Sequence, residues 1–327
     1  MIFSLQPPDT QVDFVSALLA LRRTHLQEAL LEAVGALSIR DLDSELNLYA
    51  PAQGVSALAA RGLRGELAFA VPSVLHWRPQ LLGYYRLLLG YSQKSFYTAS
   101  TGFNKLKSAE ESGRLSTTQH TFLPEACSVL NHNCALLIET IPRPILSAGL
   151  FDDLTLLTLG PQLRGGANNK RGVDGINLIF DLIHHILASH VTEQSDRSLK
   201  LINASRRQVA VEFAADPDIV IREQVSQSGH KFRNIIAIEI KAGTDYSNIH
   251  NRIGEAEKSH QKARKAGFTE CWTVVNVPSL NLAMARTESP STNRFFTLYE
   301  LLVPGHEKAE EFADLLRSLT GIPNNMT

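Results

Sequence analysis

The sequence predicts a mixed α/β protein, with a mostly helical N-terminal half followed by a mixed sheet flanked by helices. Two observations carry that expectation. Through residues 1–155, apolar side chains recur mainly at helical spacing between proline and glycine punctuation. Residues 156–327 instead place short runs of Ile, Val and Phe, separated by polar turns, between two helical stretches. Helix, three strands of antiparallel type, helix and strand is the order of a sheet covered by helices. With 327 residues, 44% hydrophobic and 20% charged, the chain can bury a sizeable core and does not have a disordered composition.

Taken in order, residues 11–35 read as one amphipathic helix, with Val12, Val15, Leu18, Leu19, Leu26 and Leu30 in register and Gly35 as its stop. Residues 41–70 mix short helical patterns around Pro51. Residues 72–90 read as helical after Pro79, with Leu81, Leu82, Tyr85, Leu88 and Leu89 on the apolar face. Next, 91–97 interleaves Tyr91, Lys94, Phe96 and Tyr97 with hydrogen-bonding side chains, a style that continues to Gly113. Such a stretch suits either base stacking and phosphate contact or a core element with a solvated lysine face. The apolar run 134–138 reads as a strand, with Pro142 and Pro144 closing the first half.

Residues 161–172, PQLRGGANNKRG, read as a loop whose glycines bracket Arg164, Asn168, Asn169, Lys170 and Arg171. Backbone N–H groups freed by glycine, together with amide and guanidinium side chains, can contact phosphate or base edges. An ordinary surface connector would have the same composition. A helix is expected over 173–189, with Asp174, Asp181 and His185 off its apolar side. Strands follow at 208–213, 218–222 and 234–241, the last two separated by a turn at Ser228, Gly229 and His230. A helix over 247–266, capped by Ser247, ends at Gly267, and Lys262, Arg264 and Lys265 sit at its negative end. Strands at 270–277 and 295–302 and a helix at 309–319 complete the chain.

Charge and cysteine usage narrow the class. A formal net charge of −1 is not that of a polycation, yet 231–265 holds eight Lys/Arg against four Asp/Glu, a local excess of +4. Cys127, Cys134 and Cys271 show no C-x-x-C spacing, which fits a reducing compartment without a disulfide framework. The N-terminus shows no basic segment followed by an apolar one, and no apolar run approaches membrane-spanning length. The cytoplasm is the expected location.

Candidate chemistry lies on two neighbouring strands. Strand alternation puts Ile236, Ile238 and Ile240 on one face and Ala237, Glu239 and Lys241 on the other. Asp218, following Pro217, can approach Glu239 from the adjacent strand. Two carboxylates would hold a hard cation such as Mg²⁺, and the lysine would orient a water or stabilise charge on a phosphoryl oxygen. The same residues also suit a half-buried Glu239–Lys241 pair on a solvated sheet face. In the following helix Ile249, Ile253, Ala256 and Ala263 form the packing stripe, with Arg252 and Glu255 beside it. Asn248, Asn251 and Arg252 are side-chain types that bind purine edges, Lys258 suits phosphate, and His250 and His260 read as solvated.

With these residues in view, the chain resembles type II restriction endonucleases of the PD-(D/E)XK superfamily, and within it the XcyI-type family that cuts CCCGGG. The resemblance rests on Pro217-Asp218, Glu239-Ile240-Lys241, GTDYSNIHNRIGEAEKSHQKARKAGF at 243–268, and the phrases LLGYYRLLLGYSQKSFY and LRGGANNKRG. It implies a restriction-endonuclease-like core and a Mg²⁺-dependent homodimer that cleaves both strands of DNA and leaves 5′-phosphates. Asp218 and Glu239 take the metal-ligand positions and Lys241 the catalytic lysine, with Glu255 or Asp174 as a possible additional acid. A repair or junction-resolving nuclease of the same fold, or a non-catalytic DNA-binding protein, are the alternative readings. Related CCGG-cutting enzymes often place a guanine-reading arginine a few residues after the lysine. Here Ala242, Gly243, Thr244 and Asp245 stand there, and Arg252 is the first arginine.

Overall fold

A computed structural model describes residues 8–225, 231–244 and 246–323, so the expected turn at Ser228–His230 and Asp245 lie outside the described residues. Two compact units emerge, residues 1–167 and 168–327. The first is helical: α1 (Asp9–Arg22), α2 (Gln27–Ala36), α3 (Ile39–Tyr49), α4 (Ala52–Ala59), α5 (Pro72–Trp77), α6 (Leu82–Leu88), α7 (Gln93–Phe96), α8 (Lys107–Ser112) and α9 (Thr117–Thr140). The unit boundary falls inside α10 (Ala148–Leu187).

Three expectations for this region need correction. Residues 11–35 form two helices, α1 and α2, and Gly35 lies within the second. The break is stabilised by Arg78, which donates to the Arg23 carbonyl at 3.3 Å and pairs with Glu32 at 2.8 Å. The run 134–138 is helical, not a strand. It belongs to α9, whose start is fixed by a capping box between Ser116 and Gln119. The buried residues Cys127, Leu130, Cys134 and Ile138 repeat at intervals of three and four, so the helical period extends through the run. Finally, 161–172 is not a loop but the middle of α10.

Aromatic residues in 91–97 are largely structural. Phe96 is buried with its ring centroid 4.4 Å from that of Phe103, and the Tyr97 hydroxyl donates to Glu110. Glu110 also pairs with buried Arg86 at 2.9 Å. Tyr84 and Tyr85, fully buried, donate to the carbonyls of Leu67 and Glu66 at 2.6 and 2.9 Å, so their polar ends are satisfied.

In the second unit the described residues form a seven-stranded sheet in sequence order: β1 (Val191–Ser195), β2 (Ser198–Ile202), β3 (Gln208–Phe213), β4 (Ile219–Gln224), β5 (Phe232–Lys241), β6 (Glu270–Val275) and β7 (Arg294–Thr297). The first five are antiparallel neighbours, while β5–β6 and β6–β7 are parallel. Parallel pairing requires a crossover, supplied by α11 (Ile249–Lys265) and then α12 (Leu282–Glu288). After β7 come α13 (Leu298–Leu302) and α14 (Glu307–Thr320), so the strand expected over 295–302 stops at Thr297, where a second capping box starts a helix. The β1–β2 hairpin lies outside the expected elements: β1 is mostly exposed and polar, while β2 alternates with Leu199 and Leu201 buried.

The alternation expected of β5 holds. Ile236, Ile238 and Ile240 pack with Ile179, Ile183 and Leu187 of α10 and Phe312 and Leu316 of α14. Ala237 faces the other way, into a cluster with Val220, Cys271 and Ala263 of α11. Helix α11 ends where expected: Gly267 adopts φ 88°, and the Phe268 amide donates to the Ala263 carbonyl at 3.0 Å. Its start differs. Tyr246–Asn248 form a 3₁₀ turn, and the residue preceding the helix is Asn248 rather than Ser247.

A Cβ added at Gly165 or Gly166 would meet nothing within 4 Å. Alanine at either position should therefore stabilise α10 by about 0.5–1 kcal/mol, read as an upward shift of the melting midpoint. No gain would show that these residues are not helical in solution.

Candidate active site

Strand register brings the two acids together. Ile219 lies opposite Ile238 in the antiparallel β4–β5 ladder, so the next step places Asp218 level with Glu239. Asp218 is then fixed by the backbone: its Oδ2 accepts from the Ile240 amide at 2.7 Å. Glu239 is 5% exposed, and its Oε1 lies 2.9 Å from Lys241 Nζ. The lysine also reaches Glu255 of α11 at 3.4 Å, though most of that carboxylate side chain is in solvent.

Electrostatically the acids are strained. Burial, and then the charge of Asp218, push the Glu239 carboxyl up to about 7 despite its lysine neighbour. Burial likewise raises Asp218, partly countered by the Ile240 amide. Lys241 is raised as well: burial would lower it, but Glu239 and Glu255 outweigh that and hold it in its charged form. Two desolvated carboxylates repel each other, and oxygen is the donor that hard divalent cations prefer, so a cation between them would relieve the repulsion. Among the described residues no group of three Asp, Glu, His or Cys side chains is arranged to hold a metal. Level across the ladder, the carboxylates of Asp218 and Glu239 would suit such a cation as donors.

Asp174 is exposed on α10, next to the buried Gly175, and Glu255 contacts the lysine rather than the acids. Arg252 is half-buried and donates to the Gly243 carbonyl, while Asn251 and Lys258 are exposed on α11. Asn248 sits in the 3₁₀ turn before it. Arg164 is exposed on α10 within the first unit, and Asn168, Asn169, Lys170 and Arg171 are helical residues of the second.

Sequence reasoning missed several residues that pack α11 behind the site. Asp216 pairs with Lys262 at 2.5 Å, and its charge is felt by both Asp218 and Glu239. His260 is buried, not solvated. Its Nε2 lies 2.8 Å from the Thr273 hydroxyl on the strand beside Glu239, and burial pushes its pKa down to about 4. Glu257 accepts from the amide of Ser291 and the hydroxyls of Ser289 and Ser291, while His250 pairs with Glu288 at 2.5 Å. None of these contacts has a local sequence signal, because each partner comes from a different element.

A mixed sheet that carries paired carboxylates and a lysine on adjoining strands, with a helical N-terminal half before it, defines a restriction-endonuclease-type hydrolase. The sequence profile of the XcyI restriction endonuclease family matches residues 15–323, and the chain belongs to that family. It is 50% identical over 319 residues to the type II restriction enzyme XcyI of Xanthomonas campestris pv. cyanopsidis, covering 97% of this chain and 95% of that enzyme. It is 49% identical over 317 residues to the type II restriction enzyme Cfr9I of Citrobacter freundii, covering 96% of each.

The raised Glu239 carboxyl sets a stability slope. Below pH 4.5 this group is protonated in both folded and unfolded chains. Between its unfolded value of 4.5 and its folded value of about 7 only the unfolded chain ionises, so folding stability falls as pH rises. Above 7 the full penalty applies, on the order of 3 kcal/mol. Glu239→Gln should therefore melt higher than the wild type at pH 8 and nearly alike at pH 4 when divalent cations are chelated. Equal melting midpoints at pH 8 would remove the electrostatic account.

Proposed function

We propose that this chain is a Mg²⁺-dependent type II site-specific deoxyribonuclease that cleaves double-stranded DNA at CCCGGG, leaves 5′-phosphates and acts as a homodimer in the cytoplasm. The observation that carries the reading is the Asp218–Glu239–Lys241 constellation, in which half-buried Asp218 lies level with buried Glu239 across β4–β5 and the lysine is 2.9 Å from Glu239. Identity near one half over nearly the whole length of enzymes named type II restriction enzymes supports the substrate class.

Asp218, immobilised by the Ile240 amide, and Glu239, whose raised carboxyl would ionise as a cation binds, would hold the cation. When bound, Mg²⁺ supplies a water of lowered pKa and offsets negative charge on the scissile phosphate. Lys241 stays protonated between two carboxylates, so it acts as a hydrogen-bond donor and fixed positive charge rather than as a base. Its ammonium orients the attacking water or stabilises a non-bridging oxygen as charge builds there. Exposed Asn251 and Lys258, with Asn248 at the head of α11, are assigned to DNA contact. Asn168, Asn169, Lys170 and Arg171 on α10 present the same chemistry. Arg164 and the N-terminal helical region are assigned a further share of recognition. A palindromic target is matched by a two-fold symmetric protein.

Lys241→Ala and Asp218→Ala should each lower the single-turnover cleavage rate by at least about a hundredfold while leaving duplex binding in place. Cleavage at the wild-type rate by either variant sinks the assignment. Digestion of a phage genome with Mg²⁺ should give discrete fragments whose mapped ends carry 5′-phosphates within CCCGGG. Structure-dependent nicking would instead support the repair reading, and binding without cleavage a non-catalytic one. A monomeric mass both free and on DNA would count against the dimer.

A further inference from the structure

Lys241 is the last residue of β5, and the β5–β6 ladder ends at its pair with Val275. The chain beyond it is nevertheless held at every step. The Lys241 carbonyl accepts from the Asn276 amide at 3.2 Å, and the Ala242 carbonyl accepts from Asn276 Nδ2 at 3.0 Å. The next carbonyl, of Gly243, accepts from the Arg252 guanidinium. Gly243 permits this because a Cβ there would overlap the guanidinium. From the α10 side, Gly175 packs so closely that its own added Cβ would collide with that of Ala242.

We propose that Asn276 and Arg252 are positioning residues for the reaction, holding the Lys241–Gly243 backbone in the path that aims the Lys241 ammonium at the acid pair. The assignment rests on Lys241 being the catalytic lysine. Both residues are themselves well anchored. Ile249 and Ile253 flank Arg252 on α11 and are buried against Val275 and Val277, which flank Asn276. One apolar cluster therefore fixes both donors relative to each other. The same geometry changes the role of Arg252. A guanidinium that already donates to a main-chain carbonyl is not free to present its whole fork to a guanine edge. The arginine that the sequence offers as a base reader is instead used by the protein to shape the turn after its lysine.

The test separates positioning from base reading. Asn276→Ala and Arg252→Ala should each lower the single-turnover rate at saturating enzyme by roughly tenfold to a hundredfold, the scale of a misplaced catalytic group. Metal-free binding to the cognate duplex should change by less than about threefold, a far smaller effect than losing a bidentate base contact. The cleaved sequence should be unchanged, and Arg252→Lys, which keeps one charged donor, should regain part of the rate. Rates equal to wild type in Asn276→Ala, or weakened binding with relaxed sequence preference and an intact rate in Arg252→Ala, would overturn the proposal. If Arg252→Ala fails to give a cooperative melt, Arg252→Lys and Asn276→Ala carry the same readout. Lys241→Ala runs alongside. If it cuts like the wild type, the lysine assignment itself fails. If it is inactive while the other variants are normal, only the positioning inference fails.

Discussion

The site depends on one backbone hydrogen bond, from the Ile240 amide to the carboxylate of Asp218. It ties the residue just before β4 to the end of β5 and so carries the ladder register into the candidate site. Because Ile219 is already committed opposite Ile238, Asp218 must meet Glu239, whatever their mutual repulsion. A shift of one residue would turn Glu239 and Lys241 to the other face and bring isoleucines to theirs. The apolar packing of Ile236, Ile238 and Ile240 opposes that slip. Burial of those residues thus holds in place a pair of carboxylates that on their own would move apart.

Helix α11 looks in composition like a basic DNA-facing helix, yet much of its polar chemistry is turned inward. Arg264 donates to the carbonyls of Phe268, Thr269 and Ser291, Glu257 gathers the serines after α12, and His260 meets Thr273, while Lys262 pairs with Asp216 at the surface. The net positive charge of 231–265 therefore overstates what remains for a polyanion. The buried contacts cost desolvation, and they are satisfied locally, which suits a scaffold that must hold reactive groups in fixed relation. Asn251 and Lys258 are exposed on the same helix, as are Lys262 and Lys265.

Across the chain, strand and helix types were legible wherever apolar periodicity was strong. β3 to β6, the C-terminal end of α11 and the face assignment of β5 follow from alternation and from Gly267. Composition misled where it was weighed above period. PQLRGGANNKRG contains a proline and glycines, yet it continues α10, between turns anchored by Phe151 and Leu159 before it and by Ile179 and Ile183 after it. The apolar run at 134–138 was short enough to pass for a strand, although Cys127 and Leu130 upstream carry its helical repeat.

By itself the sequence determined the acids, the lysine, their strands and the faces they occupy, because alternation along an extended chain is a local property. Long-range pairing decided the rest. That Asp218 falls level with Glu239, that Glu239 is raised to about 7, that His260 is buried, and that Asn276 and Arg252 close on the carbonyls after Lys241 all depend on separate elements being brought into contact. Hydrogen bonds of this kind leave no periodic trace in a chain. Their energy depends on distance and burial, and both are properties of the folded molecule.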